Sequence, residues 1–393
     1  MDLRQGALLH QSPSCPQPIS SVAAERVRRS TASRRLLCQA SNQDPLLLRV
    51  ARGEEAERTP VWLMRQAGRY MAAFREYSDR LPFRERSENA EIATELSLQP
   101  WRAFRPDGVI MFSDILTPLP AMGIEFDVVP KRGPIIPEPV RSMQQVRDLQ
   151  PLEDPDASLP FIRQILGNLR QEVGNQSTVL GFVGAPWTLA AYAIQGQSDR
   201  HCQHAKGMML KNPAVLHALL EHLADGIADY ACHQAACGAQ VVQLFDSWAH
   251  YLTPGQFAEF GLPYAAKVIS KCRQRCPGTP LIYHAKGGTG KLHLMKQSGA
   301  DVVGLDWGVD MALAREELGN STCVQGNVDP MTLFASEECI HGAVQECLSK
   351  AGPSRHILNV GDGVMQGTPE ASVGLFCDLA RQTAKSRELV GAT

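Results

Sequence analysis

No stretch of this 393-residue chain carries an apolar run of about 18 residues, the length a helix needs to cross a bilayer. Net charge is also nearly missing, at a formal −2. Without an excess of one sign there is no general pull toward nucleic acid or anionic lipid, so any anion site has to be a local cluster. The eleven cysteines include no Cys-x-x-Cys pair, the closest spacings being Cys232/Cys237 and Cys272/Cys276. An odd count without framework spacing, in a chain large enough to need no staples, predicts reduced thiols that serve mostly as small core residues. The dinucleotide turn Gly-x-Gly-x-x-Gly is absent after the first strand. Gly287-Gly288-Thr289-Gly290-Lys291 is not a phosphate-cradling loop either, because the leading glycine is missing and Leu292 follows the lysine. His201-Cys202-Gln203-His204 has no matching distant pair and reads as a polar loop rather than a metal box. What remains is the composition of a globular protein, 44% apolar and 20% charged.

Residues 1–42 differ from the rest. They hold six arginines, seven serines and no lysine, against the two acids Asp2 and Glu25. That bias predicts an organelle transit peptide, to be set apart from the fold. Pro13, Pro16 and Pro18 break the amphipathic helix of a mitochondrial signal, so a chloroplast (stromal) destination is expected. A basic tail that stays attached is the other reading. The folded domain is expected over 43–393.

The most informative segment is 61–70, an apolar run that ends in Arg65 and Arg69. Two guanidiniums delivered into one mouth call for an anionic occupant, since arginine stays charged and seeks planar carboxylate or phosphate partners. Gly68 is expected to supply the tight turn between them. A salt-bridged surface turn is the plainer reading.

Eight short β-rich runs recur, at 61–64, 108–112, 179–183, 240–245, 280–283, 301–305, 322–325 and 356–360. Each is followed by a polar or glycine-rich mouth and then helical periodicity, as in 291–297 closed by Gly299 and 311–318 closed by Gly319. Eight βα units in one domain predict an α/β fold of the (β/α)8 TIM-barrel type, with a doubly wound open sheet as runner-up. Active sites of such barrels sit at the C-terminal ends of the strands. Those ends hold Arg65 and Arg69, Ser113-Asp114, Gly184-Ala185-Pro186-Trp187 with Tyr192 beyond, Asp246-Ser247-Trp248, His284 and Lys286, Asp306-Trp307, Gln325-Gly326-Asn327, and Gly361-Asp362-Gly363.

These residues resemble the uroporphyrinogen decarboxylase family. The resemblance lies in Met64-Arg65-Gln66-Ala67-Gly68-Arg69-Tyr70, Phe112-Ser113-Asp114-Ile115-Leu116, the segment 181–189, Gln243-Leu244-Phe245-Asp246-Ser247-Trp248, Val303-Gly304-Leu305-Asp306-Trp307 and the segment 325–330. It runs from about residue 44 to 384, and the stretch 113–120 is most similar to the plant and algal plastid branch. The resemblance implies a cofactor-free, metal-free carboxy-lyase, typically a homodimer, with a small-molecule substrate and no nucleic-acid or membrane partner. It would remove CO2 from the four acetate side chains of uroporphyrinogen III to give coproporphyrinogen III, on the route to haem and chlorophyll.

By the same resemblance, Asp114 sits at the cavity floor and accepts hydrogen bonds from pyrrole N–H groups. Arg65 donates a proton or clamps a carboxylate, Arg69 holds a second carboxylate, and Tyr192 and Ser247 hydrogen-bond others. Gln66 and Phe245 are implied as wall residues. Ser113-Asp114 after a strand also reads as a helix cap. The chain departs from the family at the last mouth, where Asp362 replaces a histidine. An ionised Asp362 would repel a polyanion; a protonated one would donate a hydrogen bond. His284 is then the candidate to supply the missing imidazole from across the barrel. Two other readings stay open, a tetrapyrrole-binding paralog impaired in catalysis and a relative of corrinoid-linked methyltransferases. The second needs a His-x-Cys…Cys zinc site, and here the triplet is His284-Ala285-Lys286.

Overall fold

Seven of the eight expected runs pair as parallel strands of one curled sheet, each next to its neighbour in the chain order of the seven. The computed structural model describes residues 44–129 and 132–391, with side chains to 382. The leader expected over 1–42 lies outside the described residues. The strands of the sheet are β1 (Gly108–Ile110), β4 (Thr178–Gly184), β5 (Val241–Asp246), β6 (Leu281–Ala285), β7 (Val302–Gly304), β8 (Cys323–Val328) and β9 (His356–Val360). A small antiparallel pair, β2 (Asp127–Val129) with β3 (Gly133–Ile135), was not expected from the sequence. No helix among the described residues is long and apolar enough to cross a membrane.

The expected first strand over 61–64 is corrected. Only Val61 bridges, to Leu358 of β9. Leu358 donates its N–H to the Pro60 carbonyl at 2.9 Å, Trp62 donates to the Leu358 carbonyl at 3.3 Å, and Asp107 donates to the Val61 carbonyl at 2.7 Å. The ladder goes no further because side chains take the next two amides. Leu63 N–H goes to Gln66 Oε1 at 3.2 Å and Met64 N–H to Asn359 Oδ1 at 2.9 Å.

Strands of a parallel sheet are covered on both faces, which is why they read as unbroken apolar runs. Alternate residues then divide between two cores. Leu180, Phe182, Val241, Ile282, Val302, Cys323 and Ile357 fill the inside of the curl with Trp62 and Met64. Val179, Val183, Val242, Leu244, Tyr283, Val303, Val324 and Leu358 face the helices. Polar groups inside the curl satisfy one another. Trp62 Nε1 donates to Gln325 at 2.9 Å, Gln325 donates to Gln243 at 3.0 Å, and Gln243 reaches Met64 Sδ at 3.5 Å. Gln325, placed at a mouth by sequence, is therefore a core residue.

The helices start and stop where their residues dictate. Asn89 caps Ala90–Phe104 by accepting from Glu91 and Ile92, both at 3.1 Å. Asp310 does the same for Met311–Leu318, which ends at Gly319 with φ 79°. Gly299 follows Leu292–Gln297 with φ 78°.

Candidate active site

The mouth is organised around Arg65. Its backbone is left-handed, φ 58°, a conformation that costs a non-glycine residue roughly 1–2 kcal/mol. Gly68, expected to make this turn, has no such φ; the turn falls on the arginine itself. Neighbouring bonds hold it there. Met64 donates to Asn359 and accepts from Val364 N–H at 2.9 Å, and Gln66 N–H reaches the Leu63 carbonyl at 3.0 Å. Gln66 is 1% exposed, and its amide is spent on Leu63 N–H and the Gly108 carbonyl. It braces the turn from below instead of lining a wall, a correction that follows from the short polar link it makes to β1.

The Arg65 side chain lies across the end of β9. A Cβ on Gly363 would come within 2.2 Å of Arg65 Cδ, so any side chain at 363 has to push the arginine aside. Arg65 and Arg69 are both exposed, and neither guanidinium has an acceptor among the described residues. A third cation, Arg86, escaped the sequence reading. It is buried against the rings of Phe83, Phe74 and Phe112, 5.4, 5.6 and 5.8 Å from their centroids. Burial and the charge of Arg69 lower its pKa. Its only sequence signal is an arginine three residues after Phe83 on a helix.

Asp114 follows β1 and is half-buried. Its Oδ1 accepts the Leu116 N–H at 2.8 Å, which closes a turn and occupies one oxygen; no helix starts there, so the helix cap is not formed. Burial raises the Asp114 pKa, partly offset by that N–H and by the charge of Arg65. Tyr192, on the helix Pro186–Gln195, packs against Trp248 with ring centroids 4.3 Å apart and the planes tilted by 43°. Its pKa is raised first by burial and then by the Asp114 charge, while Arg65 pulls it down. Arg65, Asp114 and Tyr192 thus act on one another electrostatically at one mouth.

Phe245, near the end of β5, meets Phe182 and His284 edge to face, at 5.7 and 6.0 Å. Ser247 is half-buried beyond the same strand, and its carbonyl accepts from His250 Nδ1 at 2.9 Å. His284 is 4% exposed and pressed on Gly304, with no hydrogen bond to Nδ1. Burial lowers its pKa against the pull of Asp362 and Asp306. A neutral ring one layer below the rim is not the cation that answers Asp362. Lys286 is, just past the end of the strand, with Nζ 2.7 Å from Asp362 Oδ2. Burial would raise the Asp362 pKa, but Lys286, the Gly363 N–H and Arg65 outweigh it and hold the pKa below the ordinary carboxylate value. The protonated-donor reading of Asp362 is therefore corrected.

The fold and the mouth define a class: a parallel α/β enzyme with unpaired arginines beside a half-buried carboxylate and phenol. Comparison with known proteins narrows it. The profile of the uroporphyrinogen decarboxylase (URO-D) family matches residues 42–383. The uroporphyrinogen decarboxylase of Picosynechococcus sp. is 56% identical over 342 residues, 87% of this chain and 97% of its own. That of Crocosphaera subtropica is 56% identical over 343 residues, with the same shares of both chains. Among solved structures, a methyltransferase from Methanosarcina mazei superposes with a TM-score of 0.73, covering 87% of this chain and 99% of its own at 18% identity. That likeness is one of fold. The chain belongs to the uroporphyrinogen decarboxylase family.

Proposed function

We propose that this chain removes CO2 from the acetate side chains of uroporphyrinogen III and releases coproporphyrinogen III, using its own side chains alone. What supports the reading is that Arg65 and Arg69 find no acceptor among the described residues, and that Arg65 acts on both Asp114 and Tyr192. A substrate with eight carboxylates supplies the missing partners. Protonating the pyrrole α-carbon next to the carbon that bears an acetate makes the ring a cation conjugated to that acetate. The CH2–carboxylate bond then breaks, its electron pair enters the ring, and CO2 leaves. A proton added to the exocyclic carbon gives the methyl group, and the ring proton is lost. The negative charge of Asp114 favours the cation before any bond breaks, an arrangement that costs no reorganisation during the reaction. Arg65 holds the reacting carboxylate or delivers the proton, Arg69 a second carboxylate, and Tyr192 and Ser247 bond to others. Phe245 supplies an apolar wall beside the ring.

In this reading the segment 60–62, bonded to Leu358 on one side and to Asp107 on the other, is the eighth stave of a closed (β/α)8 barrel. Two copies associate as a homodimer; the exposed Trp307, Met331, Phe334 and Met365 near the rim supply an apolar surface for it. The arginine- and serine-rich leader directs the chain to the chloroplast stroma, in keeping with a plastid branch of the family. The test is to incubate the chain with uroporphyrinogen III under anaerobic conditions, with and without EDTA, and to resolve hepta- to tetracarboxylate products by chromatography. Equal turnover in both supports the reading. Absence of product, or activity that EDTA removes and zinc restores, refutes it.

A further inference from the structure

On the outer layer, three thiols converge between two helices. Cys232 lies on Pro213–Cys237; Cys272 lies on Leu262–Arg275, and Cys276 follows just past its end. Their sulfurs all lie within 4.8 Å of one another, with Cys232 and Cys276 at 3.5 Å. We infer that these three cysteines form a binding site for one thiophilic metal cation, of the Zn(II), Cd(II) or Cu(I) class.

Geometry favours an ion over plain packing. Three thiolates about 2.3 Å from a zinc-sized ion are separated from one another by roughly 4 Å, the spacing seen here. A disulfide needs about 2.05 Å and would leave the third sulfur over. The frame that places the sulfurs is stiff. Glu221, Asp225 and Asp229, four residues apart on the first helix, face Lys267, Lys271 and Arg275 at the same spacing on the second. Lys267 pairs with Glu221 and Asp225, Lys271 with Asp225, and Arg275 with Asp229. This ladder fixes the register of the helices, and the thiols are its last rung.

The chemistry agrees. Cys272 is fully buried and Cys232 nearly so, while Cys276 is half-exposed and opens the cluster to solvent. The neighbouring thiols and the Arg275 guanidinium favour a thiolate on Cys232, and the same contacts push the Cys272 and Cys276 thiols up, so those two give up their protons only to a bound cation. Binding releases the thiol protons to solvent and moves no electrons. The fourth position of a tetrahedral ion falls on the open side, where water can take it. Both helices run toward the N-terminal ends of β5 and β6, so the cluster is at the opposite end of the sheet from the candidate active site. Decarboxylation should not depend on it.

The experiment titrates the full-length chain, reduced and then freed of reductant, with Cd(II). The expected result is one ion per chain, a thiolate-to-cadmium charge-transfer band in the ultraviolet, proton release, and displacement by Zn(II). Cys276→Ser, at the half-exposed position, should abolish most of the band and weaken binding at least about tenfold while leaving the thermal midpoint of the metal-free protein in place. Cys237→Ser should bind as the parent does. Unchanged binding in Cys276→Ser with loss in Cys237→Ser would move the ion to the nearby Asp156, His233 and Cys237 and overturn the proposal. So would a reduced protein that takes up no cadmium and, on standing in air, only loses two hydrogens to a disulfide.

Discussion

Lys286 and Asp362, 76 residues apart in the chain, meet across the mouth at 2.7 Å. The carboxylate of Asp362 is thereby neutralised in place, and its repulsion of a polyanion is cancelled by a lysine from the next strand mouth but two. A half-exposed pair of this kind adds little stability. Its effect is on charge.

Lys286→Met should therefore be worse for binding than Asp362→Asn. Loss of the lysine leaves a bare carboxylate facing substrate carboxylates, and we expect KM to rise roughly tenfold or more, equivalent to about 1.4 kcal/mol. The double substitution should recover much of that rise. Asp362→His should at most modestly lower KM, and His284→Ala should act through packing against Phe245. Because the Asp362 pKa is held down, the parent enzyme should show no KM change from this group between mildly acidic and mildly alkaline pH. Equal KM in the parent and Lys286→Met would dismiss the pair from substrate binding.

Asp114→Asn keeps shape and loses charge. We expect kcat to fall by roughly 10²–10³, the effect of removing one preorganised electrostatic group. Since burial raises the Asp114 pKa, activity should decline on acidification at a pH above the ordinary carboxylate value, and the acid limb should vanish in the variant. A variant within threefold of the parent (roughly 0.6 kcal/mol) would leave Asp114 with its bond to the Leu116 turn alone.

Arg65 separates stability from activity. Arg65→Gly relieves the left-handed backbone, so its thermal midpoint should hold or rise while kcat/KM drops by at least about 10². Gly363→Ala approaches the same residue from outside. The added methyl displaces the Arg65 side chain and should cut kcat/KM without removing any charge. Unchanged kinetics in both would show that Arg65 is remote from the reacting groups.

Five histidines, at 222, 233, 250, 284 and 356, have pKa values lowered by burial, that of His356 to about 4. Between that value and the unfolded value of about 6.5, the unfolded chain binds more protons than the folded one. The stability from keeping these rings neutral is present above about pH 6.5 and lost as pH falls through this window. Denaturant midpoints should drop over that range, and His356→Gln should flatten the slope. A flat profile in the parent would contradict the burial assigned to these rings.

Much of this could be read from sequence. The largely apolar runs of β4 to β6 and of β9 announce strands covered on both faces, and Gly299 and Gly319 mark real helix ends. The run 61–64 misled because side chains of Gln66 and Asn359 take amides that a strand would share. Gln66 misled in the same way, as a polar residue beside a mouth whose bonds all go to the backbone. Nothing in an arginine signals a left-handed φ. The Lys286–Asp362 pair joins two strands that sequence shows only as separate departures, so its meaning needed three dimensions.

The linked side chains of Trp62, Gln325, Gln243 and Met64 cork the inside of the sheet beneath the mouth. That cork closes the lower end. If each acetate has to meet Asp114, as proposed, the macrocycle and the CO2 it sheds come and go from above, and the ring must turn in place or step out and return facing another way.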